Sequence, residues 1–260
     1  MGSRLEVSQG TPACFSFRVF GGNPRQGRTT HSSEQPNPTS MPDSLPSSIQ
    51  HEYDRAAGEY DRRWARYNRA SLGLLHPWIE GRRLGRVLDV GCGTGNLAGA
   101  LAEWGASADA YVGVDLSPGM LGRAAPKLGA GGWPGGAVAG SAVALPILTA
   151  SFDTALCASN LHYWPDPRAG LAEIHRALTP GGRLLLVDWD RAPLRMRAFD
   201  LWMRRALRVE YRRMYSRQEL RALLHGTGFR VGHEARGAAG LLWRLAAFDA
   251  VAVTRRPGEI

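Results

Sequence analysis

The sequence predicts an α/β fold with a doubly wound, mostly parallel sheet that carries helices on both faces. From about residue 49 onwards, short apolar runs alternate with helical patterns of roughly 10–15 residues, which is typical of parallel sheets. The runs at 87–91 (VLDVG) and 184–187 (LLLV) are almost continuously apolar, as strands buried on both faces require. Ligands bind such sheets beyond the carboxyl ends of the strands, so functional residues are expected there.

Six strands can be assigned individually. They are predicted at 86–91 (RVLDVG), 110–115 (AYVGVD), 152–159 (FDTALCAS), 183–189 (RLLLVDW), 229–235 (FRVGHEA) and 248–254 (FDAVAVT). The uncharged stretch 128–152 is long enough to cross a bilayer, but it contains six glycines and two prolines. Its GAGGWPGG portion (129–136) predicts a loop, and no transmembrane segment is expected.

Helix signals separate these strands. A helical pattern from 49 to about 78 places four aromatic side chains along one face: Tyr53, Tyr60, Trp64 and Tyr67. Further helices are predicted at 96–104, after the N-cap pairs Ser117-Pro118 and Asp166-Pro167, and from a capping box at 216–219 to about 224.

Composition places the chain among globular proteins, with 44% hydrophobic and 21% charged residues. Three cysteines without a Cys-x-x-Cys spacing exclude a disulfide framework and a cysteine zinc site, so a reducing cytoplasm is the expected location. The net charge is +9, yet Lys127 is the only lysine. A Gly-Lys-Ser/Thr phosphate loop and the Tyr-x-x-x-Lys pair of many dehydrogenases are therefore excluded.

The first 48 residues differ from the rest of the chain. They are rich in Ser, Thr, Pro, Gly, Asn and Gln and show no sustained apolar period, which predicts a disordered tail ahead of a single domain at 49–260. A transit peptide and an upstream misassigned start, with Met41 as the true one, remain as alternatives.

The glycine-rich turn at 89–95 (DVGCGTG) follows a strand and opens a helix, where free N–H groups and the absence of Cβ atoms favour a bound ligand. Asp115 ends the next strand and can accept hydrogen bonds from two ribose hydroxyls. Asp89 precedes the glycines and would repel a pyrophosphate but attract an ammonium group. An adenosine-type ligand is predicted, while the dinucleotide register Gly93-x-Gly95-x-x-Ala98 and a turn without a ligand stay open.

Several segments in order resemble the class I S-adenosylmethionine-dependent methyltransferases. They are VLDVGCGTGNLA, VGVDLSPGML, GSAVALP, SFDTALCASNLHYWPD, LAEIHRALTPGGRLLLVDW and ELRALLHGTGFRV. The resemblance covers about residues 50–255 and is nearest to the small-molecule branch, which includes ubiquinone and menaquinone C-methyltransferases and natural-product enzymes. It implies a Rossmann-like, seven-stranded sheet, S-adenosylmethionine as cofactor and a small-molecule methyl acceptor.

The resemblance also implies cofactor contacts. Asp115 would hold the ribose hydroxyls, Met120 would pack on the adenine, and Ser159 would lie beside the sulfonium. The complete implied cofactor set is Tyr60, Asp89, Gly91, Cys92, Gly93, Gly95, Asp115, Leu116, Met120, Ser141, Ala142 and Ser159. One position departs from the pattern, because the family commonly has Gly-Asp-Ala where this chain has GSA at 140–142. A neutral serine makes a weaker hydrogen bond to the adenine amino group than a carboxylate does.

The acceptor side is less defined by the sequence. Tyr53 belongs to the segment YDRAAGEYD (53–61), a helix that usually covers the site in this family, and His162 is the candidate general base and acceptor contact. A turn histidine that packs against Trp164 is the alternative. Asp188 and Asp190 either orient an acceptor, hold Mg²⁺ or form a solvated strand end, and no metal site is predicted.

A basic segment at 191–217 contains nine arginines against two acids, interleaved with apolar and aromatic residues. It occupies the place where the family inserts elements that cover the substrate. Its apolar face is expected to cap the pocket, and docking on anionic lipid or on an acidic acceptor are the alternatives.

Three functions are compatible with the sequence. The first is methyl transfer to a small, largely apolar molecule. A nucleic-acid methyltransferase is supported only by the charge, because no Asn/Asp-Pro-Pro-Tyr/Phe motif, Pro-Cys nucleophile or appended binding module is found, so no nucleic-acid partner is expected. The third is a non-catalytic S-adenosylmethionine-binding protein. The acceptor atom, the pathway and the oligomeric state are not predicted.

Overall fold

A computed structural model describes residues 48–206 and 211–253, together with two short strands nearer the amino terminus. These strands, β1 (Leu5–Glu6) and β2 (Arg18–Val19), pair with each other in antiparallel orientation. Apart from them and Ser48, the predicted disordered tail at 1–48 lies outside the described residues.

The predicted sheet is present and has seven strands. They are β3 (Arg86–Val90), β4 (Ala110–Asp115), β5 (Gly135–Ala139), β6 (Phe152–Ala158), β7 (Leu178–Trp189), β8 (Phe229–Ala239) and β9 (Trp243–Ala252). Their order across the sheet is β5-β4-β3-β6-β7-β9-β8. The first five pair in parallel, whereas β9 runs antiparallel to both β7 and β8. The mostly parallel α/β fold is confirmed.

Helices cover both faces of this sheet. They are α1 (Ser48–Ala56), α2 (Tyr60–Leu72), α3 (Asn96–Glu103), α4 (Pro118–Ala130), α5 (Pro167–Ala177), α6 (Leu194–Ala206) and α7 (Arg217–Gly226), with 3₁₀ turns at His76–Trp78 and Leu161–Tyr163. Alternate residues of β7 face two separate cores, since Leu184 and Leu186 pack with α5 and α7, while Leu185 packs with α3, α4 and α6. This alternation explains why the strand is apolar throughout.

The helix N-termini predicted at Ser117, Asp166 and Ser216 are confirmed by capping hydrogen bonds in the structure. The Ser117 hydroxyl accepts a hydrogen bond from the Met120 N–H, and the Asp166 carboxylate caps α5 in the same way. Ser216 and Glu219 form a complete capping box at the start of α7. In the part of the chain that the structure describes, no helix is long and apolar enough to cross a membrane.

Two predictions about local structure were wrong. The loop predicted at 129–136 is present only at 131–134, because the segment also contributes the end of α4 and the start of β5, an edge strand with alternating exposure. Its glycines allow close pairing, because a Cβ on Gly135 would stand 1.8 Å from the Tyr111 carbonyl oxygen. The single helix predicted from 49 to about 78 is divided into α1, α2 and a 3₁₀ turn, so Tyr53 lies on a different helix from Tyr60.

Candidate functional site

A pocket of about 840 Å³, including the solvent at its mouth, lies at the carboxyl ends of β3, β4 and β6. A smaller pocket of about 430 Å³ adjoins it and shares Tyr60, Gly91, Gly93 and Ser159 with it. The position is the one expected for a ligand of an open α/β sheet. Of the fourteen predicted site residues, ten line the larger pocket: Tyr53, Tyr60, Gly91, Gly93, Asp115, Leu116, Met120, Ser141, Ala142 and Ser159.

The glycine-rich turn forms the floor between the two pockets. Gly93 has a φ of +53°, and a Cβ built there meets nothing within 4 Å, so its backbone faces open space. Gly95 has a different role, because a Cβ there would stand 3.1 Å from Ala124 Cα on α4. Gly95 therefore permits α3 and α4 to pack closely, and it is not part of either pocket wall.

Asp115 ends β4 and ties the turn to the next helix. Its Oδ2 accepts a hydrogen bond from the Gly93 N–H at 2.8 Å, and its Oδ1 accepts one from the Ser117 N–H at 2.9 Å. A carboxylate has about four acceptor positions, so both oxygens can still receive ligand hydroxyls. Burial raises the pKa of this carboxyl, while the backbone N–H groups act in the opposite direction.

Asp89 lies buried on β3 and lines the smaller pocket. The Tyr111 hydroxyl donates to its Oδ2 at 2.6 Å. Burial raises the pKa of Asp89 to about 7, a value lowered in part by Tyr111 and raised further by the nearby Asp115. A cation in the smaller pocket would stabilise the ionised form of Asp89. Cys92 also lines this pocket, but it is buried beside Gly113 and contributes its thiol to the core.

Part of the larger pocket has an apolar lining. Met120 on α4 is buried, and Leu116 remains 43% exposed above the opening. Ala142 lines the same wall. Ser141, the residue that replaces the expected acid, receives only a long 3.4 Å hydrogen bond from the Val143 N–H.

Ser159 lies just beyond β6 in a left-handed conformation, with a φ of +59°, which is rare for a residue other than glycine. Its position is fixed by a relay in which the Trp189 indole donates to the Tyr67 hydroxyl at 2.7 Å and that hydroxyl donates to Ser159 Oγ at 2.8 Å. Strained residues of this kind are concentrated at functional sites.

Three tyrosines line the larger pocket together with the glycine-rich turn: Tyr53, Tyr60 and Tyr163. The Tyr53 ring lies 6.0 Å from that of Tyr60 and 5.9 Å from that of Tyr163, measured between centroids. Burial raises the pKa of Tyr53 and Tyr60 far enough to keep both phenols neutral. Trp64, in contrast, contacts Tyr67 and Trp243 and does not line this pocket.

His162 does not reach the pocket wall in this structure. It is 1% exposed, stacks on Trp189 with a centroid distance of 3.7 Å, and places Nδ1 2.6 Å from Asp188 Oδ1. Its Nε2 is buried without a hydrogen-bond partner among the described residues. Asp188 is thus bound to a histidine, and Asp190 Oδ1 accepts from the Ala192 N–H, so neither acid is a solvated strand end.

Two acids missed in the sequence analysis connect the amino-terminal helices to the site. Asp54 on α1 accepts hydrogen bonds from Ser117 Oγ and the Gly119 N–H at the start of α4. Asp61 on α2 accepts from the Thr94 hydroxyl at 2.5 Å and from Lys127 at 2.6 Å. Each acid directly follows a pocket tyrosine in YDRAAGEYD, and that repeat was the available signal.

Two asparagines were also missed. Asn160 Nδ2 donates to the Val90 carbonyl at 2.7 Å and so ties the end of β6 to the end of β3. Asn68 on α2 lines the smaller pocket, and its Nδ2 is buried without a partner among the described residues. A buried N–H donor without a partner can be satisfied by an anionic group of a ligand.

The two pockets fit S-adenosylmethionine. Gly93 leaves room for a nucleoside against the backbone, and Asp115 retains acceptor capacity for ribose hydroxyls. In the smaller pocket, Asp89 suits an ammonium group and the unpartnered Asn68 amide suits a carboxylate. The methionine moiety carries both groups, whereas a dinucleotide would place a pyrophosphate beside Asp89.

Comparisons with known proteins agree with this geometry. A family model described as a methyltransferase domain matches residues 88–186. The ubiquinone/menaquinone biosynthesis C-methyltransferase UbiE of Geobacter sulfurreducens is 31% identical over 190 residues, which are 65% of this chain and 72% of that protein. A demethylmenaquinone methyltransferase of Deinococcus radiodurans is 43% identical over 104 residues, which are 40% of this chain but only 43% of that protein.

A solved structure supports the fold. Magnesium protoporphyrin IX methyltransferase from Synechocystis, determined with bound S-adenosylhomocysteine, superposes with a TM-score of 0.60 at 17% identity, over 78% of this chain and 97% of that chain. With the domain match and the Geobacter relative, the cofactor is established as S-adenosylmethionine. The chain therefore belongs to the class I S-adenosylmethionine-dependent methyltransferases, of the ubiquinone/menaquinone type.

Proposed function

We propose that this enzyme transfers a methyl group to a ring carbon of a small, largely apolar acceptor of the quinol class. The observation that carries the proposal is the lining of the larger pocket. Among the described residues that line it, Asp115 is the only one of the Asp, Glu, Lys, Arg and His types. The lining also includes Tyr53, Tyr60 and Tyr163, apolar groups such as Ile49 and Trp164, and the uncharged amide of Gln50. An aromatic acceptor fits such a wall, and the names of the relatives support a quinol.

The same lining argues against a nucleic-acid acceptor. Phosphate backbones are held chiefly by arginine and lysine side chains, and none of the arginines and lysines that the structure describes lines the pocket.

When bound, S-adenosylmethionine supplies an electrophilic methyl group for in-line attack by the acceptor, with release of S-adenosylhomocysteine. The protein holds and orients the two reactants. Asp115 and the Gly93 backbone would hold the nucleoside, and Ser159, fixed by Tyr67, would set the depth of the methyl-bearing end. The neutral rings of Tyr53 and Tyr60 tolerate the cation without solvating it and exclude water from the methyl group.

The role of a general base is assigned, within this proposal, to His162. Methylation of a quinol ring carbon requires loss of one proton, and Nε2 of His162 is a buried nitrogen without another partner among the described residues. Asp188 fixes the ring through Nδ1, as the third group of a catalytic relay does. A shift of Tyr163, whose ring centroid lies 4.2 Å from that of His162, would be needed to open this path.

The proposal is tested with methyl-labelled S-adenosylmethionine and purified enzyme. The acceptors are a demethylated naphthoquinol, a simple phenol, and transfer RNA. We expect label in the quinol alone, and its loss in Asp115→Ala, with Asp109→Ala as the control because Asp109 pairs with Arg83 on the surface. Label in the RNA alone would support the nucleic-acid alternative. Cofactor binding without any labelled acceptor would support the non-catalytic one.

A further inference from the structure

Exposed large apolar side chains are concentrated at one place. In the described part of the chain there are six of them. One, Leu116, lines the larger pocket. The other five lie on α6 and on the turn between β8 and β9: Leu194, Leu201, Trp202, Leu241 and Leu242. We call these five residues the α6 patch. Single exposed leucines are common on proteins, but a group of this kind marks an interaction surface.

Helix α6 carries apolar side chains both on the face that packs against the domain and on the face that points away from it. Met196, Asp200 and Met203, spaced four and three apart, are buried against the domain. Leu194 and Leu201, spaced seven apart, lie on the opposite face and are 79% and 48% exposed. The helix therefore does not need its outer leucines to hold its place on the protein.

The turn between β8 and β9 continues this outer surface. The Phe199 ring stacks on Trp202 at 5.7 Å between centroids and meets Trp243 edge-on at 5.3 Å. Leu241 and Leu242 directly precede Trp243, and Leu241 is 91% exposed, the highest value among the exposed large apolar residues. The contact between Phe199 and Trp243 therefore places this turn beside α6.

Arginines surround the patch. Arg195, Arg197 and Arg205 are exposed on α6, and none has an acidic side chain within ion-pair distance among the described residues. Arg204 differs, because its guanidinium donates to Asp200 at 2.9 Å. The outer face of α6 thus combines exposed apolar groups with three positive charges that the described part of the protein does not neutralise.

We propose that the α6 patch docks on the headgroup region of an anionic lipid bilayer. Such a surface accepts leucine and tryptophan below the headgroups and pairs arginines with lipid phosphates, so it uses both features at once. A second copy of this chain would bring like charges together. A nucleic acid would leave the leucines without an apolar partner.

This inference goes beyond the proposed function, although the two are compatible. A series of aromatic contacts joins the patch to the acceptor pocket, from Phe199 through Trp243 and Trp189 to Tyr163. Trp243 stacks on Trp189 at 4.6 Å between centroids. An enzyme docked in this way would have its pocket near the surface where apolar acceptors reside.

The test is flotation of the full chain with vesicles, without cofactor or acceptor. One vesicle type contains phosphatidylglycerol and phosphatidylethanolamine, and the other contains phosphatidylcholine alone. We expect binding to the anionic vesicles that weakens as salt is raised. Arg195→Ser/Arg197→Ser should lower the partition coefficient at least about tenfold. Leu201→Ser/Leu241→Ser should lower it by a similar factor, because two exposed apolar side chains no longer insert.

The matched control is Arg82→Ser/Arg83→Ser, which removes the same charge next to β3, away from α6, and should lower binding by less than twofold. Equal effects of the two arginine pairs would overturn the proposal, since net charge alone would then explain binding. Equal binding to both vesicle types would overturn it as well. Self-association without lipid that the leucine variant abolishes would identify a second copy as the partner instead. Methyl transfer to a soluble quinol, measured separately, reports only on the proposed function.

Discussion

His162 and Asp188 form a buried pair in which Nδ1 of the histidine lies 2.6 Å from Oδ1 of the carboxylate. The same oxygen accepts from the Trp189 N–H at 2.6 Å, so Asp188 fixes both the histidine ring and the end of β7. Asp188 Oδ2 and His162 Nε2 have no partner among the described residues. The pair is thus placed where it can act as an oriented base or hold the 3₁₀ turn at Leu161–Tyr163 in place.

His162→Gln separates these roles. If His162 takes the acceptor proton, kcat falls by at least about 100-fold. Cofactor affinity should stay within about twofold, because His162 lines neither pocket. Activity is compared below the unfolding transition measured by circular dichroism. An unchanged kcat with a lowered melting temperature would identify a structural turn histidine.

The two acids that hold the amino-terminal helices provide a second prediction. Asp54→Ala and Asp61→Ala should each weaken S-adenosylmethionine binding about tenfold, because hydrogen bonds to a charged group contribute roughly 1.5–3 kcal/mol and both acids bind residues that line the two pockets. Isothermal titration calorimetry measures the effect. Glu59→Gln is the control, since its ion pair with Arg62 is exposed on both sides. Equal affinities in all three variants would show that α1 and α2 do not help to retain the cofactor.

The pKa shifts of Asp54 and Asp61 also predict how the attachment of α1 and α2 depends on pH. The hydrogen bond from Ser117, followed by that from the Gly119 N–H, lowers the pKa of Asp54. At Asp61, burial opposes ionisation, but hydrogen bonds from Lys127, Thr94 and Asn96 lower the pKa. Carboxyls with a lowered pKa stabilise the folded state above their unfolded pKa, near 4, and lose that effect as the pH falls through the folded value. The attachment of α1 and α2 should therefore be lost only under acidic conditions.

The pKa of Asp89 is shifted in the opposite direction, above its ordinary value. Because burial raises its pKa to about 7, the cofactor-free protein binds an extra proton between about pH 4 and 7, and its stability falls as the pH rises through that range. An ammonium ligand favours the ionised carboxylate. S-adenosylmethionine affinity should therefore rise by up to about tenfold per pH unit below 7 and then level off.

Calorimetry in buffers of different ionisation enthalpy measures the proton released on binding. Asp89→Asn should abolish both the pH dependence and the proton release, while Asp109→Asn, on the surface beside Arg83, should leave both unchanged. Affinity that is flat from pH 5 to 8 in the unaltered protein would contradict the placement of the ammonium group beside Asp89.

The sequence predicted the sheet and the position of most candidate site residues at the ends of its strands, because both depend on local patterns. The glycine turn, Asp115 and the caps at Ser117 and Asp166 each act within a few residues of one another, and the structure has them as expected. β5 was missed because a glycine-rich edge strand lacks the apolar run of a buried strand. The His162–Asp188 pair was missed because its members are 26 residues apart on separate elements.

Ser141 allows a gain of affinity to be predicted. It lines the larger pocket, at the place proposed for the adenine, and its hydroxyl makes only a 3.4 Å contact with the Val143 N–H. Ser141→Asp would place a charged acceptor there and should tighten S-adenosylmethionine binding by about fivefold, or roughly 1 kcal/mol. Ser141→Ala is the matched control and should bind about as well as the unaltered protein. An aspartate variant that binds no more tightly would show that the adenine amino group is not recognised at this position.

Asn68 provides the last prediction, which concerns the other end of the cofactor. Its Nδ2 is buried without a partner among the described residues, and leaving such a donor unsatisfied costs about 1–3 kcal/mol. The carboxylate of the methionine moiety would remove that cost. Asn68→Ala should therefore weaken S-adenosylmethionine by about tenfold or more and stabilise the cofactor-free protein or leave it unchanged.

Asn68→Asp provides the sharper comparison, because it keeps the shape of the side chain and replaces a donor with a negative charge. Repulsion of the methionine carboxylate should weaken binding further than the alanine variant does, whereas 5′-methylthioadenosine, which lacks that carboxylate, should bind all three proteins alike. If the alanine and aspartate variants lost affinity for both ligands equally, Asn68 would support the pocket without contacting the carboxylate. The difference between the two ligands therefore isolates the contact from the fold of α2.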